Sequence, residues 1–586
     1  MNQKLITAGA FKQGGWTFDT DFIPAMGLPY LLAHGIGKPV EDTEAEFELP
    51  AGTYDLYVFT FNWVSPWTTE YAPGLFELSI DGKSSGTFGS APEKWGWASA
   101  KNISLTGSGH VLKAHDLSGF DGRFAAVYLT QDPDAVLPDT PDELFRFYLS
   151  ETGNQNYEAC IETADFIVAG GGLSGMCASV MAARRGVDTI LIQDRPVVGG
   201  NNSSEARVWL GGSRNAEPFA GIGNIVGEFE QEKVGHYGEK NIGEIYEDER
   251  KLQVIKDAGV RVFLNCTVRD VILKDGQIDA LVVWNTKEDR VFLAKAPIYS
   301  DCTGDAALGY LSGADFEVTT NGHMGKSNVW YVHDTKEPQE FPACPWAVNL
   351  KGIDIPGRKD IADIYGGLGE HSLGAWFWEG GMERDPVFEA EYARDLNLRA
   401  MYGAWDALKN YDHDYETYEI GESMVIGGMR ESRRMFGDVV LTKAEVYKGE
   451  AYPDGCVPSF WNFDVHYPDP RFYRAFHEGD AFLTHDYHEH FDKPFWVPYR
   501  CFYSRNIPNL FMAGRNVSVS HDALGTVRVM RTCGMMGEIV GLAASLCAKH
   551  DAKPRDIYEK YLDEFMADVA AIPYNGIPRP THNTGA

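Results

Sequence analysis

A glycine-rich turn between two apolar stretches is the feature of this sequence best suited to chemistry. Gly170, Gly172 and Gly175 form the pattern GxGxxG, with a strand predicted before it over 164–169 and a helix after it over 176–185. The first glycine permits a tight turn, the second lets the backbone approach a pyrophosphate, and the third lets the helix pack on the strand. The helix N-terminus then offers amide N–H groups and the positive end of its dipole to the phosphates. The pattern therefore predicts a dinucleotide site.

The residue expected to hold the ribose departs from the usual pattern. A second strand is predicted over 189–192, and an acidic residue about 20 positions beyond the glycines usually accepts the ribose hydroxyls. Gln193 occupies this place, followed by Asp194 and Arg195. A glutamine amide both donates and accepts hydrogen bonds. We therefore expect Gln193 to contact the ribose. Arg195 is near, but it is not placed to bind a 2′-phosphate.

Three further segments, in a fixed order, distinguish the kind of dinucleotide. Gly199–Gly200 follows the second strand, Thr303–Asp305 follows a strand predicted over 298–301, and Gly514 ends a strand within 509–516. These segments resemble the FAD motifs of oxidoreductases with the glutathione-reductase-like or fumarate-reductase-like FAD domain. The resemblance implies FAD as the cofactor.

Longer stretches around these motifs resemble one bacterial subgroup. GGNNSSEARVW at 199–209, GMRESRRMFGD at 428–438 and SHDALGTVRVMRTCGMM at 520–536 are similar to bacterial FAD-dependent oxidoreductases. In that subgroup an N-terminal sandwich module resembling carbohydrate-binding modules is common, and carbohydrate use is suspected. The FAD-binding residues predicted from all of these motifs are Gly170, Gly172, Leu173, Ser174, Gly175, Gln193, Asp194, Arg195, Gly199, Gly200, Asn201, Ser203, Ser204, Val268, Thr303, Gly304, Asp305, Gly514, Arg515, Arg528 and Val529.

His521 is the leading candidate for a catalytic base. Hydride transfer from an alcohol carbon needs a base for the hydroxyl proton and a group that steadies charge near the flavin. His521 follows the third motif, where fumarate-reductase-like relatives carry an active-site histidine, and Arg528 and Arg531 come shortly after it. The arginines are predicted to bind anionic groups or to polarise the flavin. The alternative for His521 is a capping or packing role. The alternatives for the two arginines are contacts to the pyrophosphate or surface ion pairs.

A dense group of arginines is a second candidate site. Arg430, Arg433 and Arg434 would share one face of a helix, and together with Arg207 they could receive a carboxylate, a sulfate or the FAD phosphates. A salt-bridged helix between domains is the alternative. Arg430 and His466 complete the predicted catalytic set, His466 because it flanks the chain's return to the FAD domain.

The segment 485–490 carries possible metal ligands. Its three histidines and Glu489 suit zinc or iron. A contiguous polar patch between aromatic segments is more typical of a solvated or substrate-facing loop. The sequence therefore predicts no metal site.

The elements that must position these residues predict an α/β fold with an added β domain. A Rossmann-like, three-layer ββα FAD-binding domain is expected over 161–315 and 501–586. An inserted α+β substrate cap is expected over 316–500. An all-β sandwich is expected over 1–135, and a linker over 136–160.

The sandwich prediction rests on short β-rich stretches separated by turn signals. Aromatic side chains there could stack on sugar rings or pack in a core and between domains. The predicted strands are 53–63, 75–80, 111–117 and 124–130, and the tryptophans are Trp16, Trp63, Trp67, Trp95 and Trp97.

Composition excludes several classes of partner. The chain has 586 residues and a formal charge of −32, which repels nucleic acid and anionic lipid, so neither is an expected partner.

Nine cysteines without a CxxC pair argue against a disulfide scaffold. The first eleven residues lack an apolar core, so no signal peptide is expected and a cytoplasmic location is predicted. The oligomeric state is left open, a homo-oligomer included.

These features together predict an FAD-dependent oxidoreductase that acts on a small molecule. The favoured substrate is a secondary alcohol of a sugar or glycoside, with ring C3 as a candidate position and glycosidic elimination as a redox-neutral variant. Reduction of a C=C bond in an organic acid, and a non-catalytic carbohydrate-binding flavoprotein, are the alternatives. Only one GxGxxG lies in a strand–helix context, so the electron acceptor is a separate molecule that the sequence does not identify.

Overall fold

The fold is described from a computed structural model of the chain. It describes residues 2–12, 14–231, 242–353, 355, 378–469, 480–491 and 494–578, except the side chains of Asp486 and His488. Parts of the predicted cap, at 356–377 and 470–479, therefore lie outside the described residues.

Residues 2–130, which we name the N-terminal module, form two antiparallel β-sheets around one shared core. One sheet has the order β2-β3-β10-β5-β8 with β1 paired to β10, and the other has the order β4-β9-β6-β7. Buried and exposed residues alternate along β9, so Leu112 and Ala114 point inward and share a core with Val58 and Val127 of the other sheet. The elements are β1 (Gln3–Thr7), β2 (Thr17–Asp19), α1 (Ile23–Met26), β3 (Tyr30–Ala33), β4 (Thr43–Glu48), β5 (Gly52–Thr60), β6 (Phe76–Ile80), β7 (Lys83–Phe88), β8 (Gly96–Leu105), β9 (Gly109–Asp116) and β10 (Gly122–Thr130).

The tryptophans of the N-terminal module are used for packing. Trp16 and Trp63 are buried, and the other three contact residues outside the module. Those contacts are Trp67 to Tyr392 (4.6 Å between ring centroids), Trp95 to Glu391 (2.7 Å) and Trp97 to the Pro138 carbonyl (2.8 Å). Packing within the core and between domains thus accounts for all five positions.

The segment predicted as a linker contains a helix that packs on the following domain. This helix, α2 (Pro141–Thr152), has proline at its first position and ends at Gly153, whose φ is 77°. Its Tyr148 is buried, with the ring centroid 4.4 Å from that of Trp284.

Residues from 161 onward form a domain built on a parallel sheet. Its five strands are parallel, in the order β14-β13-β12-β18-β30, and a second sheet has the order β11-β17-β16-β15. Every residue of β12 and β13 is buried, as expected for parallel strands covered on both faces. The elements before the cap are β11 (Ile161–Thr163), β12 (Phe166–Ala169), α3 (Leu173–Arg184), β13 (Thr189–Ile192), α4 (Asn224–Phe229), α5 (Asp248–Asp257), β14 (Arg261–Phe263), β15 (Cys266–Lys274), β16 (Gln277–Asn285), β17 (Arg290–Lys295), β18 (Ile298–Asp301) and α6 (Ala307–Ser312).

The described part of the cap contains short strand pairs, one long helix and one short helix. Its elements are β19 (Phe316–Glu317), β20 (Lys326–Ser327), β21 (Trp330–Asp334), β22 (Glu379–Gly380), α7 (Ala390–Asp406), β23 (Tyr418–Ser423), β24 (Gly428–Met429), β25 (Arg434–Met435), α8 (Lys443–Lys448), β26 (Gly455–Ser459), β27 (Phe463–Pro468), β28 (Thr484–Glu489) and β29 (Phe495–Pro498). The chain then returns to the parallel sheet through β30 (Leu510–Met512), α9 (His521–Val527), α10 (Met530–His550) and α11 (Pro554–Ala571).

Helix α10 crosses α3 at close range and fixes its position on the sheet. A Cβ atom on Gly537 would clash with the Ser174 carbonyl oxygen, and one on Gly541 would clash with the Ala178 carbonyl oxygen. These glycines therefore let the two helix backbones approach, which holds the N-terminus of α3 at the edge of the sheet.

Within the described residues, no single helix is both long and apolar enough to cross a membrane. Only α9 and α10 taken together reach that length and composition, and the pair is bent by 90°.

Candidate active site and cofactor cavity

A cavity of about 1150 Å³ opens where the parallel strands end. Gly170 follows β12, Gln193 follows β13, and Gly514 follows β30; all three line the cavity. Ligands of open α/β sheets bind at the carboxyl ends of the strands. Single-ligand pockets usually measure about 300–1,000 Å³, so this cavity has room for a dinucleotide and a substrate.

The glycine turn has the shape that a dinucleotide requires. Gly170 has a φ of 100°, and a Cβ there would clash with the Cys302 carbonyl. A Cβ on Gly172, by contrast, would meet nothing closer than Gly200, at 4.0 Å, so a ligand can approach this backbone directly. Helix α3 begins at the next residue and has no side-chain cap on its first N–H groups.

Two arginines offer the cavity buried hydrogen-bond donors that a pyrophosphate could use. Arg515 and Arg528 both line it, and the Nε of each is buried without a hydrogen-bond partner in the described part of the chain. Unsatisfied buried donors favour an acceptor that binds there. The glycine turn, the helix N-terminus and these donors together fit FAD.

At the ribose end, the Gln193 side chain already makes hydrogen bonds within the protein. The Gln193 side chain accepts a hydrogen bond from the Gly171 N–H (2.7 Å) and donates one to the Val197 carbonyl (3.1 Å), so it partly serves the turn itself. Burial raises the pKa of the Asp194 carboxyl to about 6, opposed by Arg195 and assisted by Asp21. Both aspartates line the cavity beside Gln193.

The positions of the predicted FAD-binding residues follow their motifs. All of them line the cavity except Gly175 and Ser204. Gly175 lies inside α3 against the turn, and the backbone of Ser204 bonds to Asp248 (3.0 Å) and to Arg207 (3.0 Å). Gly175 thus acts through packing, as the sequence predicts, and Ser204 lies behind the wall.

Changing Gly175 to alanine should weaken FAD binding at least tenfold. A Cβ at this position would clash with the Gly170 carbonyl oxygen, so α3 must move away from the turn that faces the phosphates. The measurement is an FAD titration of the apoprotein followed by flavin fluorescence. Gly109→Ala is the control, because a Cβ there meets no atom within 4 Å and Gly109 does not have a left-handed backbone conformation. Equal affinities of Gly175→Ala and the wild type would contradict the role assigned to this packing.

Three of the predicted catalytic residues meet at one end of the cavity. Arg430, His466, Arg528 and Asp464 line it, and the buried Glu379 contacts Arg430 and His466. The contacts are Arg430 Nη1 to Glu379 Oε2 (3.3 Å), His466 Nδ1 to Glu379 Oε2 (2.7 Å), His466 Nε2 to Asp464 Oδ1 (3.2 Å) and Arg528 Nη2 to Asp464 Oδ2 (3.3 Å). We name these five residues the His466 network.

Glu379 is the buried anchor of the His466 network. Its carboxylate is fully buried and accepts hydrogen bonds from the Gly325 N–H (2.6 Å) and the Thr484 hydroxyl (3.0 Å). Burial alone would raise the pKa of the Glu379 carboxyl, but Arg430 and His466 outweigh it and lower the pKa to about 2. An ionised carboxylate therefore orients the imidazole ring at ordinary pH.

Two predicted catalytic residues, His521 and Arg531, do not belong to the described cavity lining. His521 Nδ1 bonds to Glu431 (2.8 Å), a buried carboxylate. Arg531 bonds to Glu230 (2.7 Å) and to the carbonyls of Leu210 (2.8 Å) and Gly212 (2.9 Å). His466 lines the cavity, whereas His521 does not belong to its described lining.

The arginine group of the cap is not helical, and this separates its members. Residues 430–433 connect β24 to β25 without helical structure, and Arg434 begins β25. Arg433 lines the cavity, with its guanidinium carbon 4.0 Å from the centre of the Tyr310 ring. Arg434 is buried on the Glu431 carboxylate instead, and Arg207 pairs with Glu422. The prediction of one cationic helix face is therefore wrong.

The histidine-rich segment is a strand rather than a loop. It forms β28, which pairs with β27 so that the backbones of Asp464 and His488 are opposite each other. Of its histidines, His490 lines the cavity. Among the described residues no three His, Cys, Asp or Glu side chains converge as a metal site; the side chain of His488 lies outside that description.

Several residues of the site escaped sequence reasoning because no local motif marks them. Glu379 lies between the cap's glycine-rich region and α7 without a recognisable pattern. Trp461 lines the cavity and donates to Asp464 (3.4 Å). The wall also contains Thr20, Asp21, Ile23 and Pro24 of the N-terminal module, which the sequence treats as a separate unit.

The comparison with protein families identifies the cofactor class. The family model for FAD dependent oxidoreductases matches residues 165–567, more than half of the chain. No curated protein sequence gave a match. The solved structures found include a geranylgeranyl bacteriochlorophyll reductase-like protein from Thermoplasma acidophilum, which is 12% identical, with 71% of this chain and 90% of that chain covered and a TM-score of 0.32.

Two further solved structures are similarly distant. The myxobacterial chondrochloren halogenase CndH is 12% identical, with 70% of this chain and 79% of that chain covered and a TM-score of 0.31. Sdh1 of Mycobacterium smegmatis, in complex with UQ1, is 14% identical, with 67% and 69% covered and a TM-score of 0.30. Likenesses this low say nothing about the substrate of this chain.

Proposed function

This chain belongs to the FAD-dependent oxidoreductase family, and from that premise we propose that it oxidises a secondary alcohol of a sugar or glycoside. It is an enzyme, and FAD is its cofactor. The non-catalytic alternative is therefore set aside. The proposal concerns the substrate and the residues that act on it.

The observation that carries the proposal is the His466 network. A histidine that lines the cavity and rests on a buried, ionised glutamate is the arrangement by which an imidazole is held in position as a base. An alcohol substrate needs such a base, because its O–H proton must leave as the carbon loses hydride. Reduction of a C=C bond instead needs a proton donor and strong binding of carboxylates.

The charges of the His466 network favour a substrate without carboxylates. Arg430 is paired with Glu379 and Arg528 with Asp464, so two cations face two anions at this end of the cavity. Trp461 adds an apolar aromatic face beside them. A neutral polyol with hydroxyl donors and apolar C–H faces suits this wall better than a dicarboxylate does.

The chemistry divides between the cofactor and these side chains. Bound FAD supplies the acceptor for the hydride that leaves the carbinol carbon. The 2.7 Å contact between His466 Nδ1 and ionised Glu379 favours the tautomer protonated at Nδ1, so Nε2 accepts the hydroxyl proton. Asp464 Oδ1, 3.2 Å from Nε2, stabilises the imidazolium that forms. The alcohol becomes a ketone, and a separate acceptor later removes the electrons.

One cation supports a second candidate function, reduction of a C=C bond in an organic acid. Arg433 lines the cavity and donates only a long hydrogen bond, 3.4 Å, to the Asp305 carbonyl among its described partners. Burial lowers its pKa, while Asp305 and Asp385 oppose that shift. Such a guanidinium can hold a carboxylate, although it can equally hold a cofactor phosphate.

Anaerobic reduction of the holoenzyme tests the proposal. Sugars and glycosides are mixed with the oxidised enzyme, and loss of the visible flavin absorbance is recorded. We expect at least one of them to bleach it and to yield a keto product by mass spectrometry. If no sugar bleaches the flavin and a dicarboxylate with a C=C bond reoxidises chemically reduced enzyme, the second candidate replaces the first.

A further inference from the structure

The N-terminal module supplies part of the cofactor cavity. Thr20 and Asp21 line the cavity at the end where Gln193 and Asp194 follow β13. The Thr20 hydroxyl also donates to the Asp194 carbonyl (2.9 Å). A segment 150 and more residues earlier in the chain thus meets the ribose end of the site.

Buried contacts hold this segment against the FAD domain. Arg195 Nη1 bonds to Asp19 Oδ1 (3.2 Å) and to the Thr20 hydroxyl (3.1 Å), and Nη2 bonds to the Phe18 carbonyl (3.2 Å). Asp19 is fully buried and also accepts from the Tyr30 hydroxyl (2.7 Å). The segment is therefore a fixed wall of the cavity.

Asp21 offers an ionised acceptor on this wall. Its Oδ2 is paired with Lys326, and its Oδ1 accepts no hydrogen bond within the described residues. Burial would raise the pKa of Asp21, but Lys326 outweighs it and holds the pKa below its usual value. A carboxylate of this kind accepts hydrogen bonds only, which matches the hydroxyl donors of a ribose.

Gln193 alone does not provide that acceptor. The acidic residue usual at this position takes both ribose hydroxyls, whereas the Gln193 oxygen already receives the Gly171 N–H. We propose that Asp21 of the N-terminal module accepts a hydrogen bond from the adenosine ribose of FAD. On this view the module is a structural part of the cofactor site. The proposal depends on FAD as the cofactor and is independent of the sugar substrate.

The test measures FAD affinity without any substrate. Apoprotein of the full chain is titrated with FAD and with an FAD analogue that lacks the adenosine 2′ and 3′ hydroxyls. Asp21→Asn should raise the Kd for FAD about tenfold or more, because it removes a charged acceptor. The analogue should bind the wild type more weakly than FAD does, and it should bind Asp21→Asn and the wild type about equally.

Three controls separate a ribose contact from a structural effect. Asp42→Asn, on the module surface where Asp42 pairs with His115 (2.7 Å), should leave both affinities unchanged. Lys326→Met removes the cation that holds the pKa of Asp21 down, so the Asp21 carboxyl should protonate more easily and the preference for FAD over the analogue should fall. If Asp21→Asn weakens FAD and the analogue to the same extent, or weakens neither, the proposal is overturned. If Asp194→Asn alone abolishes the preference for FAD, the ribose acceptor is Asp194 and the proposal is likewise overturned.

Discussion

Replacing His466 with alanine is expected to slow the reduction of bound FAD by its substrate about 10²-fold to 10⁴-fold. A positioned general base contributes a factor of this size, and His466 is the cavity-lining histidine that rests on an ionised glutamate. The rate is measured by stopped-flow bleaching of the flavin under anaerobic conditions. FAD content and the visible spectrum of the oxidised variant should match those of the wild type, because His466 acts on the substrate.

His521→Ala is the matched control for this experiment. His521 also bonds to a buried glutamate, Glu431, but it does not belong to the described lining of the cavity. We expect its reduction rate to stay within about threefold of the wild type, since His521 lies outside the described lining of the cavity. A large loss in His521→Ala together with a normal rate in His466→Ala would return the base to the position that the sequence favours.

The cofactor half of the site could be predicted because its determinants are local. The glycine turn, the strand before it and the helix after it occupy a continuous stretch from Phe166 to Arg184. The steric role of each glycine can be inferred from the spacing of the motif alone. The sheet order then follows, because parallel strands place their ends side by side at one edge.

The catalytic half could not be predicted in the same way, because it is assembled from distant segments. Glu379 lies in β22, Arg430 directly after β24, and His466 in β27, and no spacing rule links these strands. The cap strands are two to six residues long, so they carry little periodic signal. The sequence predicts His466 only from its position near the end of the cap, and it contains no signal for Glu379.

Neighbouring arginines show why a wrong local structure misplaces side chains. On a helix, Arg430, Arg433 and Arg434 would share one face, but residues 430–433 are not helical and Arg434 begins β25, so the three side chains need not point the same way. Arg430 and Arg433 line the cavity, while Arg434 is buried and bonds to Glu431 and the Val519 carbonyl. A single error in the type of element thus changed which cations were assigned to the site.

Replacing Arg123 with methionine should destabilise the protein by about 3–5 kcal/mol, the usual cost of removing one partner from a buried ion pair. Arg123 is fully buried at the edge of the N-terminal module and donates to Asp395 (3.0 Å) and Glu391 (3.0 Å) of α7. Methionine fills much of the same volume but leaves the two carboxylates without this cation. Arg394, bonded to Asp395 (2.7 Å), compensates only in part.

The measurement is chemical unfolding at equilibrium, followed by tryptophan fluorescence and by release of FAD. Arg184→Gln is the control, because Arg184 and Glu228 form an exposed ion pair whose loss should cost no more than about 1 kcal/mol. Because Thr20 and Asp21 line the cofactor cavity, loosening the module should also release FAD at lower denaturant. Release of FAD at the wild-type midpoint, with the module unfolding earlier, would mean that the cavity keeps its cofactor without the wall that the module provides.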